Sequence, residues 1–433
     1  MEKNCFKEFI RYVTLNVLGM FGFSCYILAD TFFISKGMGS DGLTALNLII
    51  PVYNLMNGTG LMLGMGGASR YAILKGQGQE KKGSQVFTHT VVMTVFFALF
   101  YMLVGIFLPE KLSLLLGATG EVFSMCRIYL RVMLLFSPLF MMNSVMQCFV
   151  RNDGAPQLST ASMLVGSFSN IILDYVLVIR LRWGMFGAVF ATGLSPVVGL
   201  CILSVFFFKK KNNFHLVHCR PEKRTAGYIM GGGASSLVAE LSSGIVILIF
   251  NMILLKLEGN LAVAAYGVIA NLSLVMTAVF TGIGQGSQPL VSRYYGMGET
   301  ENIKKILRYG VVLTAALSVL TYAGLCIART ETVRIFNSEG NAVLQEIAEK
   351  GMVLYFLGAF PAGLNIFLAL YSMASDRAGK ANLISMLRGF LLIIPFAFLL
   401  SWMFGMTGLW LTFPATEIVT TAAAIFILKR KRE

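Results

Sequence analysis

Twelve long apolar runs divide this chain of 433 residues. They fall at approximately 9–35, 43–74, 87–108, 122–150, 157–179, 184–208, 226–255, 260–293, 305–328, 343–375, 381–403 and 406–428. About twenty apolar residues carry a helix across the hydrocarbon layer of a bilayer. The runs are continuous, whereas a membrane strand would alternate over only about ten residues. Hydrophobic residues make up 56% of the chain and charged ones 13%. A soluble protein carries roughly 25% charged residues. The sequence therefore predicts an all-α membrane protein with twelve transmembrane helices. Several runs exceed the bilayer thickness, which predicts tilt, bending or protrusion. The leading segment MEKNCFKEFIR runs into the first span without a small-residue cleavage site, so no removable signal peptide is expected.

The formal net charge is +14. In a soluble chain that would raise nucleic acid as a partner. Here the basic residues cluster between spans, as topology requires, and no nucleic-acid partner is expected. With the N-terminus in the cytoplasm, segments on that side hold 24 Lys and Arg and segments on the other side hold 8. Three more, Arg127, Arg131 and Arg388, fall within spans. The bias predicts both termini inside and an even number of spans, in the cytoplasmic (inner) membrane.

A repeat is legible across the longest polar stretch, KKKNNFHLVHCRPEKR at 209–224. LGMGGASRYAILKGQGQE at 63–80 matches IGQGSQPLVSRYYGMGET at 283–300, with four glycines offset by 220. WGMFGAVF at 183–190 matches FGMTGLWL at 404–411, offset by 221. Each half then contains six helices in one orientation, and a pseudo-two-fold axis along the membrane normal is expected. The domains predicted are a six-helix lobe at 1–208, a basic cytoplasmic linker at 209–225 and a second six-helix lobe at 226–433. Two equal lobes with a seam suit alternating access.

Several chemistries find no support. The seven cysteines show no paired CxxC spacing, and His89, His215 and His218 do not join them in a ligand pattern. The Gly-rich stretches follow no strand, so close helix packing explains them better than nucleotide binding. Asn57 and Asn271 head glycosylation-type triplets but lie within spans. No nucleophile–base set and no ATP-binding motif is present, so no enzyme activity and no organic cofactor are expected. Transport would draw on an ion gradient. Most of the 24 Met and 34 Phe should face lipid or pack, with some adaptable surface for varied ligands.

Two carboxylates stand out against this background. Asp30 lies in FGFSCYILADTFFISKG and Asp174 in GSFSNIILDYVLVI. A charge at bilayer depth costs at least ~2.5–3.5 kcal/mol on insertion scales, which makes each a functional-site candidate. Asn170 stands one helical turn before Asp174, on the same face. Thr192 lies in the apolar stretch GAVFATGLSP of span 6. These four form a candidate oxygen-rich cation site, and a proton or sodium ion would relieve the conflict of two adjacent carboxylates. By the repeat offsets Asp30 falls beside Phe250 and Asn251, and Asp174 falls on Pro395, so the second lobe lacks the pair. Glu240, Asn251 and Arg388 are weaker candidates for contacting substrate. Glu417 carries less weight.

The twelve spans, ADTFFISKGMGSDGLTALNLIIPV, the NDGAP turn at 152–156, NIILDYVLV and WGMFGAVFAT together resemble the multidrug and toxic-compound extrusion (MATE) family, in its DinF-type branch. The resemblance covers essentially the whole chain. It implies proton- or sodium-driven export of amphiphilic, often cationic compounds, by a protein working as a monomer. It also implies that Asp30, Asn170, Asp174 and Thr192 are the cation-coupling residues. Some members carry a proline about four turns before the helix 1 aspartate. Here that region reads VTLNVLG, so a bend there is not expected from proline, and Gly19 and Gly22 are the remaining flexible positions. A lipid-linked precursor flippase of the same broad superfamily is the alternative, and it would need a groove lined by several cations.

Overall fold

The computed structural model describes residues 2–337 and 341–429, and the predicted spans are helical. In the first half these are α1 (Glu2–Gly76), α2 (Glu80–Phe107), a short α3 (Pro109–Leu115), α4 (Gly120–Leu135), α5 (Ser137–Asn152), α6 (Pro156–Asp174) and α7 (Gly184–Phe208). The second half comprises α8 (Lys223–Glu258), α9 (Asn260–Met297), α10 (Thr300–Ile327), a short α11 (Arg329–Phe336), α12 (Ala342–Tyr355), α13 (Ala359–Ala374), α14 (Ala378–Met386) and α15 (Ile393–Lys429). No strand occurs among the described residues.

Length explains how these helices make twelve spans. At 1.5 Å per residue, α1 with its 75 residues would extend ~110 Å, more than three times the ~30 Å hydrocarbon layer. It breaks at Gly39, whose φ of 66° and ψ of −150° suit only glycine. α15 breaks in the same way at Gly405, with φ 58° and ψ −136°. The two glycines lie between predicted spans 1 and 2 and between spans 11 and 12. α4 and α5 form one span bent by 50°, where Pro138 opens α5. α12 and α13 join through a 3₁₀ turn at Phe356–Gly358, and α14 joins α15 through a π turn at Leu387–Leu391.

The duplication is written in the backbone. Positive-φ glycines recur in pairs: Gly39 with Gly259, Gly78 with Gly298, and Gly184 with Gly405. The short helices α3 and α11 both follow helices of 28 residues, α2 and α10. The two six-helix lobes are related by a pseudo-two-fold axis along the membrane normal. Each has its own buried cluster of apolar side chains. The start of α1 crosses over, placing Phe9, Tyr12 and Val13 in the second lobe's core. Large apolar side chains such as Phe96, Phe100, Ile172 and Trp402 are exposed, the arrangement lipid allows and water does not.

The lobes meet in backbone contact. A Cβ on Gly66 would lie 2.0 Å from the Ile229 carbonyl oxygen, and one on Gly233 would lie 1.9 Å from that of Met62. Only glycine permits this approach. Polar bonds cross the same seam: Ser69 Oγ to Ser292 Oγ at 2.9 Å, Asn152 Nδ2 to Gln288 Oε1 at 3.0 Å, and Arg151 to Gln285 Oε1 at 3.1 Å.

The segment between the lobes is docked rather than wholly solvated. Lys209, Lys210 and Lys211 are exposed, but Phe214 is fully buried among Tyr71, Phe87 and Phe149. Asp153 accepts from Tyr71 Oη at 2.6 Å, from Lys75 Nζ at 2.5 Å and from the Asn213 backbone at 2.7 Å. His89 Nε2 accepts from the Glu222 backbone at 3.1 Å, and its Nδ1 lies 3.6 Å from Cys219 Sγ. No group of three metal-ligating side chains occurs among the described residues.

Candidate functional site

α1 carries Asp30 nine residues before its break, so the carboxylate lies within the first span. α6 carries Asn170 and Asp174 at i and i+4, which stacks them on one face. Directly after Asp174 the helix widens into a π turn at Tyr175–Arg180, a deviation that recurs at functional sites. α7 carries Thr192. All four side chains are buried: Asp30 is 7% exposed, Thr192 4%, and Asn170 and Asp174 not at all.

The structure brings the four together. The carboxyl groups of Asp30 and Asp174 lie within hydrogen-bonding reach of each other. With its amide turned to satisfy both neighbours, Asn170 donates to Asp174 Oδ2 at 3.0 Å and accepts from the Thr192 backbone N–H at 3.2 Å. Thr192 Oγ1 donates to the Ala188 carbonyl at 3.0 Å. Oδ1 of Asp30 and Oδ1 of Asp174 are each buried without a protein partner. Two unsatisfied buried carboxylate oxygens, side by side, fit a proton shared between them or a small hard cation. The donor set is oxygen throughout, with no soft ligand.

Three tyrosines complete the surroundings. Tyr26 lies one turn before Asp30 on the same face of α1. Its hydroxyl lies 3.3 Å from that of Tyr53. Tyr129 of α4 lies beside Thr192 and both carboxylates. Tyr26 was legible by its i−4 spacing from Asp30. Tyr53 and Tyr129 come from other spans, and nothing in their local sequence marks them.

The weaker candidates separate. Glu240 on α8 is half-buried and lies beside Asn57 and Tyr53. It faces the first lobe's polar group across the seam. Asn251 sits three turns further along α8, partly exposed and away from Glu240. Arg388 commits its guanidinium to Glu417 Oε1, at 3.1 Å from Nε and 2.7 Å from Nη2. Asn365 donates to Glu417 Oε2 at 2.7 Å, and Thr421 donates to Asn365 Oδ1 at 3.1 Å. The second lobe thus holds a neutralised pair where the first holds two carboxylates.

Residues 13–19 are regular helix, with the first break of α1 at Gly39. Within them Asn16 is buried, donates to the Tyr12 carbonyl at 2.9 Å and accepts from Arg151 at 2.8 Å.

Comparison with known proteins agrees with this architecture. The MatE family model matches residues 17–176 and 236–399, one stretch in each lobe. The multidrug export protein MepA of Staphylococcus saprophyticus is 24% identical, over 100% of this chain and 95% of its own. MepA of Staphylococcus aureus strain MSSA476 is 24% identical, over 98% of this chain and 93% of its own. Among solved structures, an outward-facing multidrug resistance MATE family transporter of the MOP superfamily superposes with a TM-score of 0.91 at 20% identity, over 97% of this chain and 94% of that one. A MATE protein in its straight conformation also gives 0.91, at 19% identity over the same shares. With both lobes matched by the family model and the twelve-helix fold shared, the chain belongs to the MatE (MATE) family of multidrug transporters.

Proposed function

We propose that this protein is a cation-coupled antiporter that exports amphiphilic, often cationic compounds by alternating access. The observation that carries the reading is the pair of adjoining buried carboxylates, Asp30 and Asp174, each with an oxygen that no protein group satisfies. A proton or sodium ion entering from outside would neutralise that pair. Asn170, Thr192 and Tyr129 would orient it. Neutralisation favours one arrangement of the lobes and drug the other, so the two ligands compete through a shared equilibrium. Glu240, at the seam and partly open, is the group best placed to meet a cationic substrate. The relatives' printed name, multidrug export protein, supports the substrate class.

The protein would act as a monomer in the cytoplasmic membrane, with both termini in the cytoplasm and no cofactor beyond the coupling ion. A flippase for lipid-linked precursors is less supported. Arg388 is neutralised by Glu417, and Arg127 pairs with Glu110 at 3.1 Å on the exposed surface, so neither lines a free cationic groove. The test is dye efflux from cells carrying Asp30→Asn or Asp174→Asn. Both variants should lose ion-dependent export. Wild-type export with unchanged ion dependence in both would remove the carboxylates from the coupling step.

A further inference from the structure

A cavity of about 550 Å³ opens where the two lobes meet at their basic end. The first lobe contributes Arg70 to its wall, and the second contributes Tyr228, Arg377 and Lys380. Asp376 is the one carboxylate among the lining residues. Lys380 commits its ammonium to the Ile427 carbonyl at 2.7 Å, so the charge of the cleft rests on Arg70 and Arg377 against Asp376. The cations stand on both sides of a closed seam, since Gly66 at the cavity edge touches the α8 backbone. Like charges held across such a contact repel unless an anion lies between them.

Two features say what kind of anion fits. Among the described residues neither Arg70 nor Arg377 is ion-paired. Arg70 instead stacks on the Tyr228 ring at 4.8 Å from its centroid, which fixes the guanidinium plane and leaves its edge N–H groups available. The cavity also contains the start of α14, where Ala378 and Gly379 present first-turn backbone N–H groups. Planar guanidinium forks and a helix N-terminus share one preferred ligand, a phosphate group. The glycine side of the cavity is smooth: a Cβ on Gly227, Gly231 or Gly379 would meet nothing within 4 Å. We propose that this cleft binds a phosphate-bearing anion that bridges the lobes between Arg70 and Arg377. Its source is either a soluble phosphate or the headgroup of an anionic phospholipid. A bridging anion holds this end of the seam shut, so its binding opposes the lobe rearrangement that transport requires.

The full chain, purified and placed in nanodiscs of phosphatidylcholine, is titrated with inorganic phosphate and with pyrophosphate at constant ionic strength. A parallel set replaces part of the lipid with phosphatidylglycerol. Unfolding temperature is the readout for both. The expected result is a rise with at least one of the three probes. Arg70→Gln alone and Arg377→Gln alone should each weaken the response about tenfold or more. Lys111→Gln, an exposed change far along the first lobe, should leave it intact. A response to the soluble probes alone names a soluble phosphate, and a response to phosphatidylglycerol alone names a lipid. No response in the wild type overturns the proposal, as does a response that survives both substitutions. Loss in only one variant overturns the bridge. Arg377 is exposed, so its variant keeps the test usable if Arg70→Gln does not fold.

Discussion

Replacing Arg388 by Leu leaves Glu417 buried without its cation. The Glu417 side chain is 2% exposed and that of Arg388 18%, so solvent cannot take over the guanidinium's part. Removing one partner of a buried ion pair costs about 3–5 kcal/mol. Asn365 still donates to the other carboxylate oxygen at 2.7 Å, which places the expected loss near the lower end, about 3 kcal/mol. That is on the order of a hundredfold in the folded-to-unfolded ratio. The double change Arg388→Leu with Glu417→Leu removes both charges and should recover most of the loss, because apolar replacement of a buried pair is often neutral. Denaturant titration in detergent, run as a double-mutant cycle, measures all four proteins. The reasoning fails if Arg388→Leu alone is as stable as wild type, or if the double variant is worse than either single one. The same proteins separate structure from transport. Export that returns with stability in the double variant assigns Arg388 to the pair. Export that stays lost in a stable protein assigns it to substrate.

Other changes follow from the same geometry. Phe214→Ala empties a fully buried ring site and should cost about 3–5 kcal/mol; limited proteolysis should then cut between Lys209 and Arg224 faster than in the wild type. Asp153→Ala removes the acceptor shared by Tyr71, Lys75 and Asn213 and should expose the same segment, with little change if the docking rests on Phe214 alone. Gly66→Ala forces a methyl to within 2.0 Å of the Ile229 carbonyl; the lobes must part at that point, which a disulfide cross-link between cysteines placed at 69 and 292 would report as lost yield. Thr192→Ala should weaken ion dependence less than Asp174→Asn, because its backbone N–H still bonds Asn170.

The spans were legible because apolar length is a one-dimensional signal. A break between the runs ending at 35 and beginning at 43 was legible too, while its place at Gly39 came only with the fold. The repeat could be read at its glycines: Gly64, Gly66 and Gly76, like Gly284, Gly286 and Gly296, sit against neighbours that leave no room for a side chain, and Gly78 and Gly298 turn the chain with φ of 73° and 75°. Asp30 and Asp174 stood out by their cost in an apolar run, Asn170 by its spacing from Asp174 and Thr192 as a polar residue in an apolar stretch. What escaped the sequence is what depends on distant partners. Tyr53 and Tyr129 sit in spans 2 and 4 and carry no local mark. Arg151 reads as an ordinary basic residue at a span end, yet it is 2% exposed and tied to Asn16 and Gln285. The stretch 209–224 reads as a charged loop because its lysines dominate its composition, while Phe214, together with Asn213 on Asp153, fixes it to the first lobe. Arg388 and Glu417 lie 29 positions apart on separate spans, and only the fold pairs them.

Drug uptake into vesicles, with proton and sodium gradients imposed separately, tests the central claim most directly. The account predicts that one of the two gradients drives accumulation in the wild type. It predicts that neither does so in Asp30→Asn or Asp174→Asn, while drug still binds both variants. Accumulation driven equally well without either gradient, or surviving the loss of both carboxylates, would contradict it.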